Sequence, residues 1–256
     1  MYTLTVACQK GGTGKTTTAL GLGSELSKLG YRVLFVDTDS QANLTKAELE
    51  TPFSLGLYDV LTDRKNKATM GIVASRHGYI LPSDGRMAQG GKSAPLYGSE
   101  PEYRIRKVLQ TVSDDFDVAV IDTPPTLGEM TIAALTASDG VVVPCRADRY
   151  SLMGLQDFYA TFSTVKDQTT NSKLDLLGVV ITAFSGRSAL ARDIAEALEQ
   201  QAKQLKTKLY KPYIRNTIAT TEWEYTGYTN GSTAQKDYCV IAEQLAKDMK
   251  LKAKRR

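Results

Sequence analysis

The sequence predicts an α/β protein with a mostly parallel, doubly wound sheet that is flanked by helices. Short, continuous apolar runs at residues 32–36 and 117–121 alternate with stretches in which apolar residues recur at helical spacing. Unbroken apolar strands are typical of parallel sheets, because helices cover both of their faces. These two runs end at Asp37 and Asp122. Polar residues at strand ends indicate the edge of the sheet where ligands bind.

The first strand and the first helix are joined by a glycine-rich turn. Residues 2–7 form a short β-rich run, which ends where Gly11 and Gly12 interrupt it. Apolar residues then recur at helical spacing over residues 16–29, and Gly30 ends this helix.

The remaining elements follow from the same patterns, and no linker rich in Pro or Ser interrupts the series. Further strands are expected at residues 32–36, 79–81, 117–121, 140–143 and 176–181, with a last short strand at 208–210. Further helices are expected at residues 54–61, 102–112, 132–137, 152–165, 189–202 and 237–249. We therefore expect one domain over residues 1–246, followed by a basic C-terminal tail at 247–256.

The composition excludes several classes of protein. The 256 residues include three widely spaced cysteines and no CxxC pair, which argues against a disulfide framework or a zinc site and fits a reducing cytoplasm. No apolar stretch is long enough to cross a bilayer, so we expect a cytoplasmic protein that is not bound to a membrane. The net charge of +4 permits contact with nucleic acid or anionic lipid without proving either.

The turn after the first strand carries a phosphate-binding motif. Residues 9–17 read Gln-Lys-Gly-Gly-Thr-Gly-Lys-Thr-Thr, and Gln9 stands where the first glycine of the usual motif lies. The glycines let amide N–H groups turn toward phosphate oxygens, and the helix that begins near Gly14 directs its positive end at them. Lys15 would reach the β- and γ-phosphates, and the Thr16 hydroxyl would bind Mg²⁺. A plain glycine-rich turn is the alternative, but the strand before it, the helix after it and the Lys-Thr pair favour a phosphate loop.

This motif resembles the deviant Walker A motif of the ParA/MinD group of P-loop ATPases. Residues 36–43 are similar to a second motif of that group, and residues 117–128 to its Walker B strand and switch. Residues 184–187 and 214–216 lie where ParA proteins carry two further motifs. The resemblance covers most of the chain and implies the P-loop NTPase fold, with Mg²⁺-dependent ATP hydrolysis.

The resemblance also implies roles for individual residues. Lys10 would reach across a nucleotide-sandwich dimer to the partner's phosphates, and Asp39 would orient the attacking water. Catalysis would thus depend on Lys10, Lys15 and Asp39, and the Mg²⁺ shell on Thr16, Asp37 and Asp122. Nucleotide contacts would come from Lys10, Gly11, Gly12, Thr13, Gly14, Lys15, Thr16 and Thr17, with Ile214 and Asn216 at the adenine pocket.

Contacts with DNA are implied at two arginines. Arg187 and Arg215 would contact the DNA backbone, which needs only a well-placed cation and carries no sequence preference. Exposed, solubilising arginines are an equally good interpretation of the sequence. The run at residues 223–228 and Ile218 depart from the family pattern, which puts detailed DNA or partner contacts there in doubt.

Three functions are compatible with this scaffold. The leading hypothesis is a nucleoid-associated ParA-type partitioning ATPase, whose ATP-bound homodimer binds nonspecific DNA and is stimulated by a ParB-like centromere-binding partner. The alternative is a membrane-associated positioning ATPase like MinD, since Ile241, Leu245 and Met249 form a narrow apolar stripe that would otherwise pack on the protein's own core. An iron–sulfur or amidoligase relative is disfavoured, because no cysteine follows Asp122 closely and no substrate-binding features of an amidoligase are found.

Overall fold

The computed structural model describes residues 1–63, 65–89, 100–167 and 170–252. Within these ranges the strands are β1 (Tyr2–Val6), β2 (Val33–Asp37), β3 (Val73–Ser75), β4 (Gly78–Leu81), β5 (Val118–Asp122), β6 (Gly140–Arg146) and β7 (Asp175–Thr182). The helices are α1 (Lys15–Lys28), α2 (Asn43–Glu48), α3 (Leu57–Thr62), α4 (Ala68–Gly71), α5 (Arg104–Gln110), α6 (Glu129–Ala137), α7 (Ser151–Asp167), α8 (Ala189–Gln204), α9 (Ile218–Thr226) and α10 (Thr233–Asp248).

The strands form one sheet in the order β3-β4-β2-β5-β1-β6-β7. The pairings are parallel except for β3 with β4, which is antiparallel at the edge of the sheet. Every residue of β2 and β5 is buried, as continuous apolar strands between two helical layers require. The predicted α/β class with a mostly parallel sheet is therefore confirmed.

Helix α1 lies close to the sheet and to α10. A Cβ atom at Gly23 would overlap the Phe35 ring of β2, and one at Gly21 would overlap the Tyr238 ring of α10. Small residues at these two positions let the helix that follows the phosphate loop approach both neighbours. The loop is thus carried by an element that is held on two sides.

One predicted strand is wrong. Residues 208–210 were expected to form a strand, but they make only an isolated bridge between Val179 and Leu209. The Val179 amide donates to the Lys208 carbonyl and the Tyr210 amide donates to the Val179 carbonyl, at 2.8 and 2.9 Å. The next backbone contact with β7 is the bond from the Ile214 amide to the Ile181 carbonyl, so residues 208–210 do not form a continuous ladder.

The apolar stripe of the last helix is buried. Ile241 and Leu245 are fully buried and Met249 nearly so, in the cluster that also contains Tyr238 and Leu26 of α1. The stripe therefore packs on the protein's own core, as one of the two interpretations of the sequence required. In the ranges that the structure describes, no helix has the length and apolar character to cross a membrane. Residues 253–256 of the expected basic tail lie outside these ranges.

Candidate nucleotide-binding site

The ends of the central strands bring the predicted motifs to one edge of the sheet. Val6 of β1 is in register with Asp122 of β5, and Asp122 is in register with Asp37 of β2. Strand β6 lies on the other side of β1. The phosphate loop between β1 and α1 therefore lies beside Asp122, with Asp37 one strand further on the same side. This is the edge where ligands of parallel sheets bind.

The loop has the backbone of a phosphate cradle. Gly12 and Gly14 have φ angles of +70° and +83°, a left-handed conformation that favours glycine. Gly14 directly precedes the first turn of α1, so the unpaired amides of that turn face the loop. The Thr182 hydroxyl of β7 donates to the Thr13 carbonyl at 2.7 Å and anchors the loop to the sheet. Sequence reasoning did not identify Thr182, because it lies far along the chain and belongs to no motif.

Lys15 is a buried cation inside this cradle. Its side chain is only 7% exposed, and its Nζ donates to the Lys10 carbonyl at 3.1 Å. Burial lowers the pKa of Lys15, while the negative charges of Cys8, Asp122 and Asp39 oppose that shift. A neighbouring phosphate would provide the charge compensation that one carbonyl cannot supply.

Asp122 and Thr16 form the part of the site that fits Mg²⁺. The Thr16 hydroxyl donates to Oδ2 of Asp122 at 2.7 Å. Oδ1 of Asp122 is buried and has no hydrogen-bond partner among the described residues. Burial, with help from the nearby Asp37, raises the pKa of Asp122 well above its usual value. An orphaned carboxylate oxygen beside a hydroxyl suits a cation whose bound water can donate to it.

No group of three or more His, Cys, Asp or Glu side chains with the arrangement of a metal site occurs in the described part of the chain. A Mg²⁺ ion here would depend on the Thr16 hydroxyl, phosphate oxygens and water, which is how Mg²⁺ is usually bound beside nucleotides.

Asp37 and Asp39 are placed differently from each other. Asp37 is fully buried, and its carboxylate accepts hydrogen bonds from the Asp39 amide at 3.0 Å and from both the amide and the hydroxyl of Thr45 at 2.9 and 2.8 Å. Burial raises its pKa to about 6, although these hydrogen bonds oppose the shift. Asp37 thus holds α2 against the strand end, and its contribution to the Mg²⁺ shell stays a prediction.

Asp39 lies two residues after Asp37, beyond the end of β2. Its Oδ1 accepts a hydrogen bond from the Gln41 amide at 3.0 Å, and its carbonyl accepts one from the Ser83 hydroxyl at 2.7 Å. Among the described residues, Oδ2 of Asp39 accepts no hydrogen bond. This oxygen is therefore the one that could accept a hydrogen bond from water.

Lys10 is paired within its own chain. Its Nζ lies 2.7 Å from Oδ2 of Asp148 and 5.2 Å from the centre of the Tyr150 ring, and its side chain is 34% exposed. Sequence reasoning did not identify Asp148. It lies two residues after the end of β6, so the rule that ligands bind at the carboxyl ends of parallel strands could have found it.

The expected adenine and DNA residues lie on the segments after β7. The Ile214 side chain is buried in the core, its amide donates to Ile181 and its carbonyl accepts from Phe184. The Ile214 side chain is thus covered, whereas the Asn216 side chain is exposed, and contact of either residue with adenine stays a prediction.

The two arginines differ in their surroundings. Arg187 is exposed in the turn before α8. Arg215 makes a two-pronged ion pair with the buried Asp237, at 2.9 and 2.6 Å, while half of its side chain stays exposed. Contact with DNA stays a prediction for both residues.

The chain resembles known proteins over most of its length. A family model described as an AAA domain matches residues 1–176. The chain is 31% identical over 255 residues to the sporulation initiation inhibitor protein Soj of Bacillus subtilis, covering 95% of this chain and 97% of that protein. It is 36% identical over 196 residues to the chromosome-partitioning ATPase Soj of Thermus thermophilus, covering 76% and 74% of the two chains.

Among solved structures, the chain resembles cobyrinic acid a,c-diamide synthase from Mycobacterium smegmatis, solved with bound ADP and magnesium. The TM-score is 0.84, the identity is 29%, and the match covers 100% of both chains.

Proposed function

Because the chain belongs to the ParA/MinD family of P-loop ATPases, we propose that it is a DNA-partitioning ATPase whose ATP-bound form is a homodimer. As a member of that family it is an ATP hydrolase that uses Mg²⁺. The observation that carries the proposal is Lys10. It is an additional lysine inside the phosphate loop, and its ammonium group lies at a partly exposed surface where a facing subunit could meet it.

The chain's own residues divide the reaction between them. Loop amides and Lys15 would bind the phosphates, and Thr16 with Asp122 would hold the Mg²⁺ ion, which would neutralise charge on the phosphate oxygens. Asp39 accepts a hydrogen bond from water and turns it toward the γ-phosphorus. Hydrolysis then yields ADP, inorganic phosphate and a proton, with Lys10 of the facing subunit stabilising the charge that develops.

Relatives named as partitioning proteins support a role with DNA and a centromere-binding partner. In this proposal the dimer binds DNA without sequence preference, a ParB-like protein stimulates hydrolysis, and the ATP-bound protein associates with the nucleoid. The exposed Arg187 and the half-exposed Arg215 are the proposed phosphate contacts. The buried stripe of α10 disfavours the MinD-like alternative, since those side chains already pack in the core.

The test is the oligomeric state of Asp39→Ala with ATP or ADP, measured by size exclusion with light scattering, with and without nonspecific DNA. We expect a dimer with ATP only, and DNA binding by that dimer, because slow hydrolysis would trap the bound state. Asp115→Ala removes an exposed carboxylate elsewhere and serves as the control. An Asp39→Ala protein that stays monomeric with ATP would overturn the proposal.

Two lysine variants separate the proposed roles. Lys15→Ala should abolish ATP binding, because no other buried cation serves the phosphates among the described residues. Lys10→Ala should keep part of the binding but lose hydrolysis. Fluorescent-nucleotide titration and phosphate release measure the two quantities, and equal loss of binding in both variants would contradict a role for Lys10 across the dimer.

DNA contact is tested by salt dependence. Arg187→Ala should weaken DNA binding equally for unrelated sequences and reduce the slope of log affinity against log salt by about 1. A loss confined to one sequence, or an unchanged slope, would argue against a backbone contact by this residue.

A further inference from the structure

The partner of Lys10 is held in place by its own helix. Oδ1 of Asp148 accepts hydrogen bonds from the Tyr150 amide and the Ser151 hydroxyl, both at 3.0 Å, at the start of α7. Oδ2 is left to face Lys10, whose Nζ donates to it at 2.7 Å. The carboxylate is therefore oriented before Lys10 reaches it, and the lysine is the movable member of the pair.

The Asp148 carboxylate is charged at neutral pH. Burial would raise the pKa of Asp148, but the hydrogen bonds from Lys10, Ser151 and Tyr150 outweigh it and hold that pKa below its ordinary value. The Tyr150 ring, 5.2 Å from Nζ, adds a second attraction for the cation. Lys10 thus has two partners in its own subunit.

Two large apolar side chains are exposed close to the pair. Tyr150 and Met153 are 70% and 65% exposed, the former next to Lys10 and the latter one turn along α7. Exposed large apolar side chains beside a functional site indicate a face that another protein covers. Lys10 is therefore held at the border of the face that a second copy would meet.

We propose that Asp148 is a positioning residue that latches Lys10 within its own subunit and must release it before Lys10 can reach a partner's phosphates. The inference rests on the proposed ATP-bound dimer and adds a step that opposes its formation. Each dimer opens two such latches, one for each subunit.

The size of the effect follows from the exposure of the pair. Both side chains are about one-third exposed. An exposed ion pair of this kind changes an equilibrium constant by about 2- to 5-fold. Because two latches open per dimer, the factor enters the dimer dissociation constant as its square. Removing the latch should therefore tighten the dimer by about 4- to 25-fold.

The experiment measures dimer dissociation constants with saturating Mg·ATP in the Asp39→Ala background, where turnover does not deplete the dimer. Adding Asp148→Asn should tighten the dimer by the factor above, and Asp148→Glu should restore the original constant. Asp157→Asn removes an exposed carboxylate from the same helix and should leave the constant unchanged. Circular dichroism melts check that each variant is folded.

A double-mutant cycle gives the decisive readout. In a Lys10→Ala background, Asp148→Asn should no longer tighten the dimer, since the latch has already lost its movable member. Asp148→Asn that leaves the dimer unchanged or weakens it, in folded protein, would overturn the latch while leaving the proposed function intact. If Asp39→Ala itself forms no dimer with ATP, the proposed function falls and the latch falls with it.

Discussion

Two buried carboxylates, Asp122 at the nucleotide site and Glu25 in α1, differ in how fully the protein hydrogen-bonds them. Asp122 is fully buried, receives one hydrogen bond from Thr16 and keeps one oxygen without a partner among the described residues. Glu25 is 3% exposed, and its Oε1 accepts hydrogen bonds from Lys28, Tyr228 and Gln235.

The pKa values move in opposite directions for this reason. Burial raises the pKa of Asp122 well above its usual range, and the one hydrogen bond cannot compensate. Burial acts on Glu25 in the same sense, but its three donors prevail and lower its pKa. A buried carboxylate that accepts several hydrogen bonds within the protein stabilises the fold. A buried carboxylate with an oxygen that lacks a partner is suited to binding a ligand.

The largest expected effect comes from removing the unsatisfied charge. Asp122→Asn should reduce hydrolysis by at least about 100-fold, because the ion that neutralises phosphate charge loses its anchor. The same change should raise the melting temperature of the nucleotide-free protein, since a buried charge without full compensation is lost. Phosphate release and thermal unfolding measure the two effects.

The exposed Asp114→Asn, just before β5, is the matched control and should change neither quantity. Full hydrolysis by Asp122→Asn would show that Asp122 takes no part in binding Mg²⁺.

Substitution of Glu25, which accepts three hydrogen bonds, should lower stability and leave hydrolysis unchanged. Glu25→Gln keeps the shape but loses charge-assisted hydrogen bonds, so the free energy of unfolding should fall by about 1.5–3 kcal/mol. Hydrolysis by the folded variant should stay at the wild-type level. Urea unfolding measures the loss, with the exposed Glu243→Gln of α10 as control. A fall in hydrolysis without a fall in stability would show that Glu25 serves the site rather than the fold.

The pH dependence of this contribution has a definite sign. The pKa of Glu25 is lowered from its ordinary 4.5, so the native state binds fewer protons than the unfolded state in the acid range. The stabilisation is present above about pH 4.5 and is lost as pH falls through the lower native value. The stability difference between wild type and Glu25→Gln should be constant from pH 7 to 5 and shrink below that. A difference that grows in acid would contradict the lowered pKa.

The smallest effect is expected at one donor of the same cluster. Tyr228→Phe removes the hydroxyl that lies 2.8 Å from Oε1 of Glu25, while Lys28 and Gln235 stay in place. The free energy of unfolding should fall by about 0.5–1.5 kcal/mol. A loss as large as that of Glu25→Gln would mean that the donors act as one unit.

The central sheet and the phosphate loop could be predicted because their signals are local. Continuous apolar runs indicate buried strands, and the loop motif lies within nine consecutive residues. What escaped prediction depends on tertiary contacts. Helix α2 has six residues and is held by the bond from Thr45 to Asp37, and the edge strand β3 has only three residues.

A helix in the C-terminal region was not predicted from the sequence, for a similar reason. Helix α9 carries Ile218 and several Thr residues, which have low helix propensity, and the predicted elements left this segment without a helix. The buried Trp223 gives it a place in the core, beside Tyr228 and Tyr238. The pairing of Lys10 with Asp148 likewise joins residues 138 positions apart, which no local pattern reveals.

The burial of Trp223 equips the molecule with an internal optical probe. It is the one tryptophan in the sequence, it stacks obliquely on Tyr228 at 4.4 Å between ring centres, and α9 packs on α2. Helix α2 is in turn tied to Asp37 at the nucleotide edge. Intrinsic fluorescence should therefore report any rearrangement of α2 and α9 in the unlabelled protein, and stopped-flow emission can time it against nucleotide arrival.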